Sequence, residues 1–367
     1  MTRTTRISSA VVLITVLIAL LGGLGSGLAR LGWQMDALSH NWILVHGPLM
    51  ISGFLGTLIC MERAVALSSR YSWAIAIPIT NAIGAFTLLT MPQSAGAKLL
   101  ITSGSIGLLI LFGIMLHLHH SKDVIVMLLG AFCWVIGNVL WLVGNPIFQL
   151  VHLWIAFLIL TIVGERLELS RVRRLTSRSE HLFIFSVAVY LSGVLLTIFQ
   201  LDMGMRLLGF GSILMAAWLL RYDIARRTIL QTGLPRYIAA CLLSGYLWLA
   251  FGGLMAVWKG AVYAGFDYSL ILHAFLLGFV FSMIFGHMPI ILPALTSLKV
   301  AYTPLFYGHL ILLHLTLFIR TTGNLLQSVP IRQWGGLLNV LTILLFMLVT
   351  VVAVLRSNFR QLNTGLQ

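Results

Sequence analysis

Apolar runs of about twenty residues follow one another along almost the whole 367-residue chain, and no other feature constrains the fold as much. A helix of about 20 apolar residues crosses the hydrocarbon of a bilayer, and inside it every backbone N–H and C=O must be satisfied. Twelve such runs can be read: 10–30, 41–61, 73–92, 98–119, 124–143, 147–164, 182–200, 204–220, 237–258, 268–294, 303–320 and 333–355. They leave no room for a water-soluble domain, and 59% hydrophobic against 9% charged residues excludes one. The expected fold class is all-α: a polytopic membrane protein, one twelve-helix domain over 1–367, with membrane lipid as its first partner.

Short loops rich in Lys and Arg stay on the cytoplasmic side. With the N-terminus inside, 17 of the 23 basic residues fall on that side, while Arg30, Lys98, Arg206, Lys259, Arg320 and Arg332 fall on the other. The split predicts an inner (cytoplasmic) membrane protein of bacterial type with both termini in the cytoplasm. It also accounts for the net charge of +14 without nucleic acid, because basic loops face an anionic leaflet. The segment "SRVRRLTSR", Ser170 to Arg178, reads as a topology signal rather than an anion site. The opening "MTRTTRISSAVVLITVLIALLGG" has the basic head and apolar body of a signal peptide, yet its removal would break the even span count. It is read as a retained first helix. Cys60, Cys133 and Cys241 are far apart in sequence and read as buried thiols, and the 14 scattered Met residues as packing.

The second, sixth and tenth runs read alike: "LVHGPLMISGFLGTLICMER", "LVHLWIAFLILTIVGER" and "ILHAFLLGFVFSMIFGH". Each has an aliphatic pair and a histidine near one end, then an apolar stretch, then Glu62, Glu165 or His287. A spacing of four helices divides the chain into three arcs of four, with internal repeats 10–122, 123–222 and 236–358. His46, His152 and His273 each lie about six residues, roughly 9 Å, inside the outer boundary. A lone intramembrane histidine is best read as bonded to a neighbouring carbonyl. Three at matched depth favour ligation.

All nine acidic residues lie in loops or at helix ends, which argues against an ion-coupled transporter with a carboxylate inside the membrane. What remains inside is imidazole and neutral polar groups such as Asn81, Asn138, Ser244 and Asn339. Neutral imidazole ligates haem iron and copper, and coordination satisfies its ring nitrogen in hydrocarbon. Haem b fits best, with copper as a second metal. Gly53, seven residues from His46, would stand two turns along the same face and admit a flat ring.

At the other end of the tenth run, His287 follows His273 by fourteen residues, close to a whole number of α-turns and roughly 21 Å deeper. It enters "GHMPIILPAL", where Pro289 and Pro293 free carbonyls. His309 could approach it, giving an inner metal or proton site of His287 and His309, with hydrogen bonding to the freed carbonyls as the competing reading. His117, His119, His120 and His181 are expected at the interface.

Twelve spans in three arcs, with histidine on the second, sixth and tenth, resemble the main subunit of haem–copper oxidases and nitric oxide reductases. By that likeness His46 and His273 would clasp a low-spin haem, and His152 would face a second metal. The tenth run has one histidine at that level rather than His-x-His, the seventh has no His-His pair, and the sixth lacks the His plus Tyr pattern. No complete binuclear oxygen-reducing centre is visible, and turnover stays open. The segments "HGPLMISGFLGTLI" and "HAFLLGFVFSMIFGH", with the length and span count, resemble the NnrS family of haem- and copper-containing bacterial membrane proteins linked to nitric oxide. The resemblance implies a membrane haem protein that handles a diatomic gas such as nitric oxide or protects against nitrosative stress. The alternatives are a permease for a small solute and an assembly factor for a respiratory oxidase.

Overall fold

A computed structural model describes residues 3–34, 40–170 and 175–364. Asp36 and the stretch 171–174 of the basic segment lie outside the described residues. Among those described there is helix and no strand.

Twelve long helices follow in chain order: α1 (Arg3–Arg30), α2 (40–67), α3 (Ser72–Thr90), α4 (Ala95–Leu118), α5 (Lys122–Leu142), α6 (Ile147–Ser170), α7 (Ser177–Leu196), α8 (Leu201–Tyr222), α9 (Gly233–Lys259), α10 (Gly265–Thr296), α11 (Phe306–Leu325) and α12 (Val329–Thr364). Among the described residues, eleven are long and apolar enough to cross a membrane. The exception is α11, which has the length, 20 residues, but carries His309, His314 and Arg320. The all-α polytopic membrane fold expected from the apolar runs is the fold observed. Three spans are enclosed by protein far more than the rest: α2 at 67% of its apolar window, α6 and α10 at 78%, against 33–56% elsewhere. A helix apolar on every face must be buried on every face, and α6 is buried without a break from Leu150 to Thr161.

The chain forms two compact units, Met1–Glu165 and Arg166–Gln367. In the first, small residues let helices approach. A Cβ on Gly130 would meet the Phe157 carbonyl at 3.1 Å, and Trp134 stacks on Phe157 at 4.5 Å between ring centres. In the second, α8 and α9 touch backbone to backbone at Gly209 and Gly253. There α11 and α12 form an antiparallel hairpin with Gly323 against the Arg332 backbone and Gly335 against that of Arg320.

Neither α2 nor α10 is a continuous α-helix. In α2, a 3-10 stretch (His40–Val45) and one α-turn (His46–Pro48) lead into eight π-helical residues, Leu49–Gly56. In α10, α-helix to His273 gives way to eight π-helical residues, Ala274–Phe281. Such turns, bonded five residues apart, are rare and concentrate at functional sites. The two segments align residue for residue: Gly53-Phe54 matches Gly278-Phe279, and Thr57 matches Ser282. Each ends in the same way, the Thr57 hydroxyl donating to the Gly53 carbonyl at 2.6 Å and the Ser282 hydroxyl to that of Gly278 at 2.6 Å. In α6, which stays α-helical, the Thr161 hydroxyl donates to the Phe157 carbonyl at 2.8 Å. Five residues beyond each hydroxyl stands an ionisable side chain: Glu62, Arg166 and His287. The kinship of the three helices is firmer in this register than in the spacing of their histidines, since His152 and His273 precede the hydroxyl by nine residues and His46 by eleven.

The π turns overturn two inferences that assume constant pitch. A π residue rotates the chain by less than the α-helical 100°, so Gly53 does not repeat the face of His46, nor does the α-turn count from His273 to His287 hold. Nor is the space beside Gly53 open to a ring: a Cβ there would meet Ala85 at 3.2 Å and Ala19 at 3.5 Å. Gly53 is a helix-packing residue.

Candidate functional site

In α2, the Nδ1–H of His46 donates to the Gly23 carbonyl of α1 at 2.8 Å. Its ring lies against Gly27, where an added Cβ would sit 2.8 Å from Cε1. The two glycines, one helical turn apart, are what let the imidazole reach the backbone of α1. In α10, the Nδ1–H of His273 donates to the Ser269 carbonyl, one turn back, at 2.7 Å. A carbonyl oxygen only accepts, so Nδ1 carries the proton in both rings and Nε2 carries the lone pair of the neutral form. A bond of this kind from the other ring nitrogen fixes tautomer and ring orientation in a metal-ligating histidine. The side chain of His46 stands at the residue that opens the α-turn before one π segment, and His273 is the last residue before the other.

In α6, His152 differs from both. It is buried, and its Nε2 has no hydrogen-bond partner among the described residues. The amide of Asn138 in α5 and the indole N–H of Trp154 in α6 are likewise buried without one. Asn81 is satisfied in part: its amide donates to the Ser52 carbonyl at 2.8 Å and to the Thr57 hydroxyl at 2.7 Å, tying α3 to the π segment of α2. Among the described residues, no three His, Cys, Asp or Glu side chains converge as a metal site.

The sequence matches DUF8744, a domain of unknown function, over residues 9–355. The chain belongs to that family. No curated protein matches it. The match runs through both units and all twelve helices, so the whole bundle is the DUF8744 domain.

At the opposite end of the DUF8744 bundle's α10, the second unit holds a polar cluster. The Nδ1–H of His287 donates to the Met283 carbonyl at 2.8 Å, and Nη2 of Arg166 faces its Nε2 at 3.4 Å. Arg166 and Asp223 are buried, and the buried Tyr246 hydroxyl lies within electrostatic reach of both, outside hydrogen-bonding geometry. Asp223, just past the end of α8, accepts from the Ala225 N–H at 2.7 Å and so starts a single helical turn, Ala225–Thr228. Burial pushes its carboxyl above the ordinary range, while Arg166, the Ala225 N–H, Tyr246 and His287 pull it down. Sequence reading put every acidic residue in a loop or at a helix end, which is where Asp223 stands. It had no means of showing that the position is buried.

His287 and His309 each have hydrogen-bond partners of their own. Pro289 has no N–H for the Phe285 carbonyl four residues earlier. The Tyr237 hydroxyl supplies the donor at 3.3 Å. His309 Nε2 lies 3.0 Å from that hydroxyl, and its ring packs edge-on against Phe285 and Phe346. With the hydroxyl proton on the carbonyl, Nε2–H donates to Tyr237 and the lone pair sits on the buried Nδ1. Further along α11, His314 accepts from the Trp248 indole at 3.0 Å and donates to the Ser244 hydroxyl at 2.8 Å. His117, His119, His120 and His181 are exposed, as an interfacial position requires.

In the first unit, Arg63 pairs with Glu165 and stands 3.6 Å from Glu62, with its guanidinium 5.7 Å from the Phe112 ring. Glu62 and Glu165, read as matching ends of two repeats, thus meet on one arginine.

Proposed function

We propose that this chain is an integral membrane haem protein, with His46 and His273 as iron ligands, copper at His152 as a second metal, and a role in handling nitric oxide or protecting against nitrosative stress. The observation that carries the reading is the matched state of two rings: in each, Nδ1–H is spent on a backbone carbonyl and Nε2 holds the lone pair. Buried Nε2 of His152, without a partner among the described residues, supports a further metal position. The role in nitric oxide chemistry rests on the likeness of the second and tenth spans to the NnrS family.

The residues fit the group in donor chemistry, since neutral imidazole is an axial ligand of b-type haem. A bound haem would supply an iron that coordinates a diatomic gas. The chain's own part is to set the tautomer of His46 through Gly23 and of His273 through Ser269. The charge split of the loops supports a bacterial inner membrane with both termini in the cytoplasm. The test is the absorption spectrum of the purified protein from haem-replete cells, with a pyridine haemochrome assay. A Soret band with sharp α/β bands on reduction is expected.

A second reading, a permease for a small solute, draws on buried Arg166 and Asp223, within electrostatic reach of each other and of His287, the kind of ionisable groups that mark a solute or proton path. A colourless, haemochrome-negative protein would move the function there.

A further inference from the structure

Two arginines at the His273 end of the second unit lack any carboxylate partner among the described residues. Arg320 of α11 is buried, 8% exposed, and its only described side-chain bond is from Nη2 to the Ser269 hydroxyl at 3.5 Å. Its Nε is buried without a partner. Arg332 of α12 is half-buried, its guanidinium stacked 4.4 Å over the Phe266 ring, with its Nε also buried and unpartnered. The carboxylate nearest in sequence on α10, Asp267, is taken by Lys259 at 3.1 Å.

The backbone brings the two guanidiniums together. Gly323 packs on the Arg332 backbone and Gly335 on that of Arg320, which sets the residues about one turn apart across the α11–α12 hairpin. Both side chains reach the same stripe of α10, because Phe266 and Ser269 are three residues apart in its α-helical part and face one way. His273 is four residues further on that stripe, and its Nδ1–H bonds the carbonyl of the same Ser269. Arg332, Arg320 and His273 therefore line three successive turns of one face.

Two like charges in a half-buried apolar setting repel each other and lose hydration, and a protein keeps such an arrangement where an anion compensates it. Guanidinium presents a planar fork that suits paired anionic oxygens. We propose that Arg320 and Arg332, with the Ser269 hydroxyl, form a binding site for an anion with paired oxygens, a carboxylate or small oxyanion, beside His273. The ligand is either a free anion, which does not depend on haem, or the carboxylates of a bound porphyrin, which rests on the haem reading, and the test separates the two.

The full chain, purified in detergent, is titrated with succinate, sulfate and phosphate against chloride at constant ionic strength, and its thermal midpoint is followed by tryptophan fluorescence. For a free anion, the wild type shows a saturable rise of a few degrees that chloride does not give. Arg320→Gln and Arg332→Gln lose it, Arg332→Lys weakens the half-saturation at least tenfold, and Arg206→Gln, at an exposed pair with Asp202, retains it. For porphyrin carboxylates, free anions give no rise, while Arg320→Gln and Arg332→Gln lower haem per protein severalfold with His46 and His273 intact. A colourless protein that still shows the anion response leaves this site standing and removes the haem reading. The proposal is overturned if the wild type responds to no anion and both variants keep full haem, or if the response survives in the Gln variants. Should Arg320→Gln fail to fold, the half-buried Arg332→Gln carries the comparison.

Discussion

A histidine in hydrocarbon has two ring nitrogens to satisfy, and the half-buried histidines here differ in their partners. His314 uses both, on Trp248 and Ser244, which makes it a structural link between α9 and α11. His46 and His273 each donate Nδ1–H to a carbonyl, which makes Nε2 the unprotonated nitrogen of the neutral ring. His46→Ala or His273→Ala should therefore abolish or shift the Soret and α/β bands, while the exposed His120→Ala leaves them unchanged; equal spectra in all three would remove both ligands from consideration. His152→Ala should spare the low-spin spectrum and lower copper content or alter the response to nitric oxide, read by metal analysis and difference spectroscopy. Loss of the low-spin haem itself in that variant would reassign the roles. At Asp223 the sign runs the other way from a surface carboxylate. Burial raises its pKa on folding, so the native state holds the proton to higher pH than the unfolded chain does. Its contribution is fullest below the ordinary carboxylate pKa and is lost as pH rises through the folded value. Asp223→Asn keeps an oxygen for the Ala225 N–H and should be less sensitive to that rise, with a thermal midpoint that gains on the wild type as pH rises above the ordinary carboxylate range.

The π segments show how an element can be dictated by neighbours rather than by its own residues. Leu49–Gly56 and Ala274–Phe281 are apolar and glycine-containing like many α-helical spans, and nothing in their composition selects wide turns. What holds the first is polar bonding from adjacent helices: Asn81 reaches the Ser52 carbonyl and Thr57, and the Trp134 indole donates to the Ser52 hydroxyl at 3.0 Å. Asn81→Leu leaves a buried carbonyl and hydroxyl short of a donor and should cost about 1–3 kcal/mol. A drop of several degrees in the thermal midpoint, with haem content falling alongside it, is expected; an unchanged midpoint would mean the π turn holds without that bond. Pro289 acts on the element differently, removing a donor that Tyr237 replaces from α9.

At the scale of the molecule, orientation decides which end of each helix meets which solvent. On the proposed orientation, the α6–α7 connection and both termini lie inside, and the turns at Gly144–Asn145 and between α11 and α12 outside. Alkaline phosphatase fused after Asn324 should be active and fused after Arg174 inactive. The opposite pattern would invert the membrane and place the histidines His46, His152 and His273 near the cytoplasm.

The apolar runs alone determined that this chain is a bundle of long membrane helices, because hydrocarbon admits no other way for such segments to satisfy their backbones. Sequence likeness also singled out α2, α6 and α10, which prove to be the three best-enclosed spans. Where the helices change pitch was hidden, since a π turn depends on donors such as Asn81 that come from other helices. So was the company of each ionisable residue. Arg166 beside His287, Tyr237 bonded to the Phe285 carbonyl, and Arg320 against Ser269 join residues 121, 48 and 51 positions apart. A one-dimensional pattern records that a charge or an imidazole lies near a helix end; only the packing of helices decides whether it faces lipid, a carbonyl or another charge.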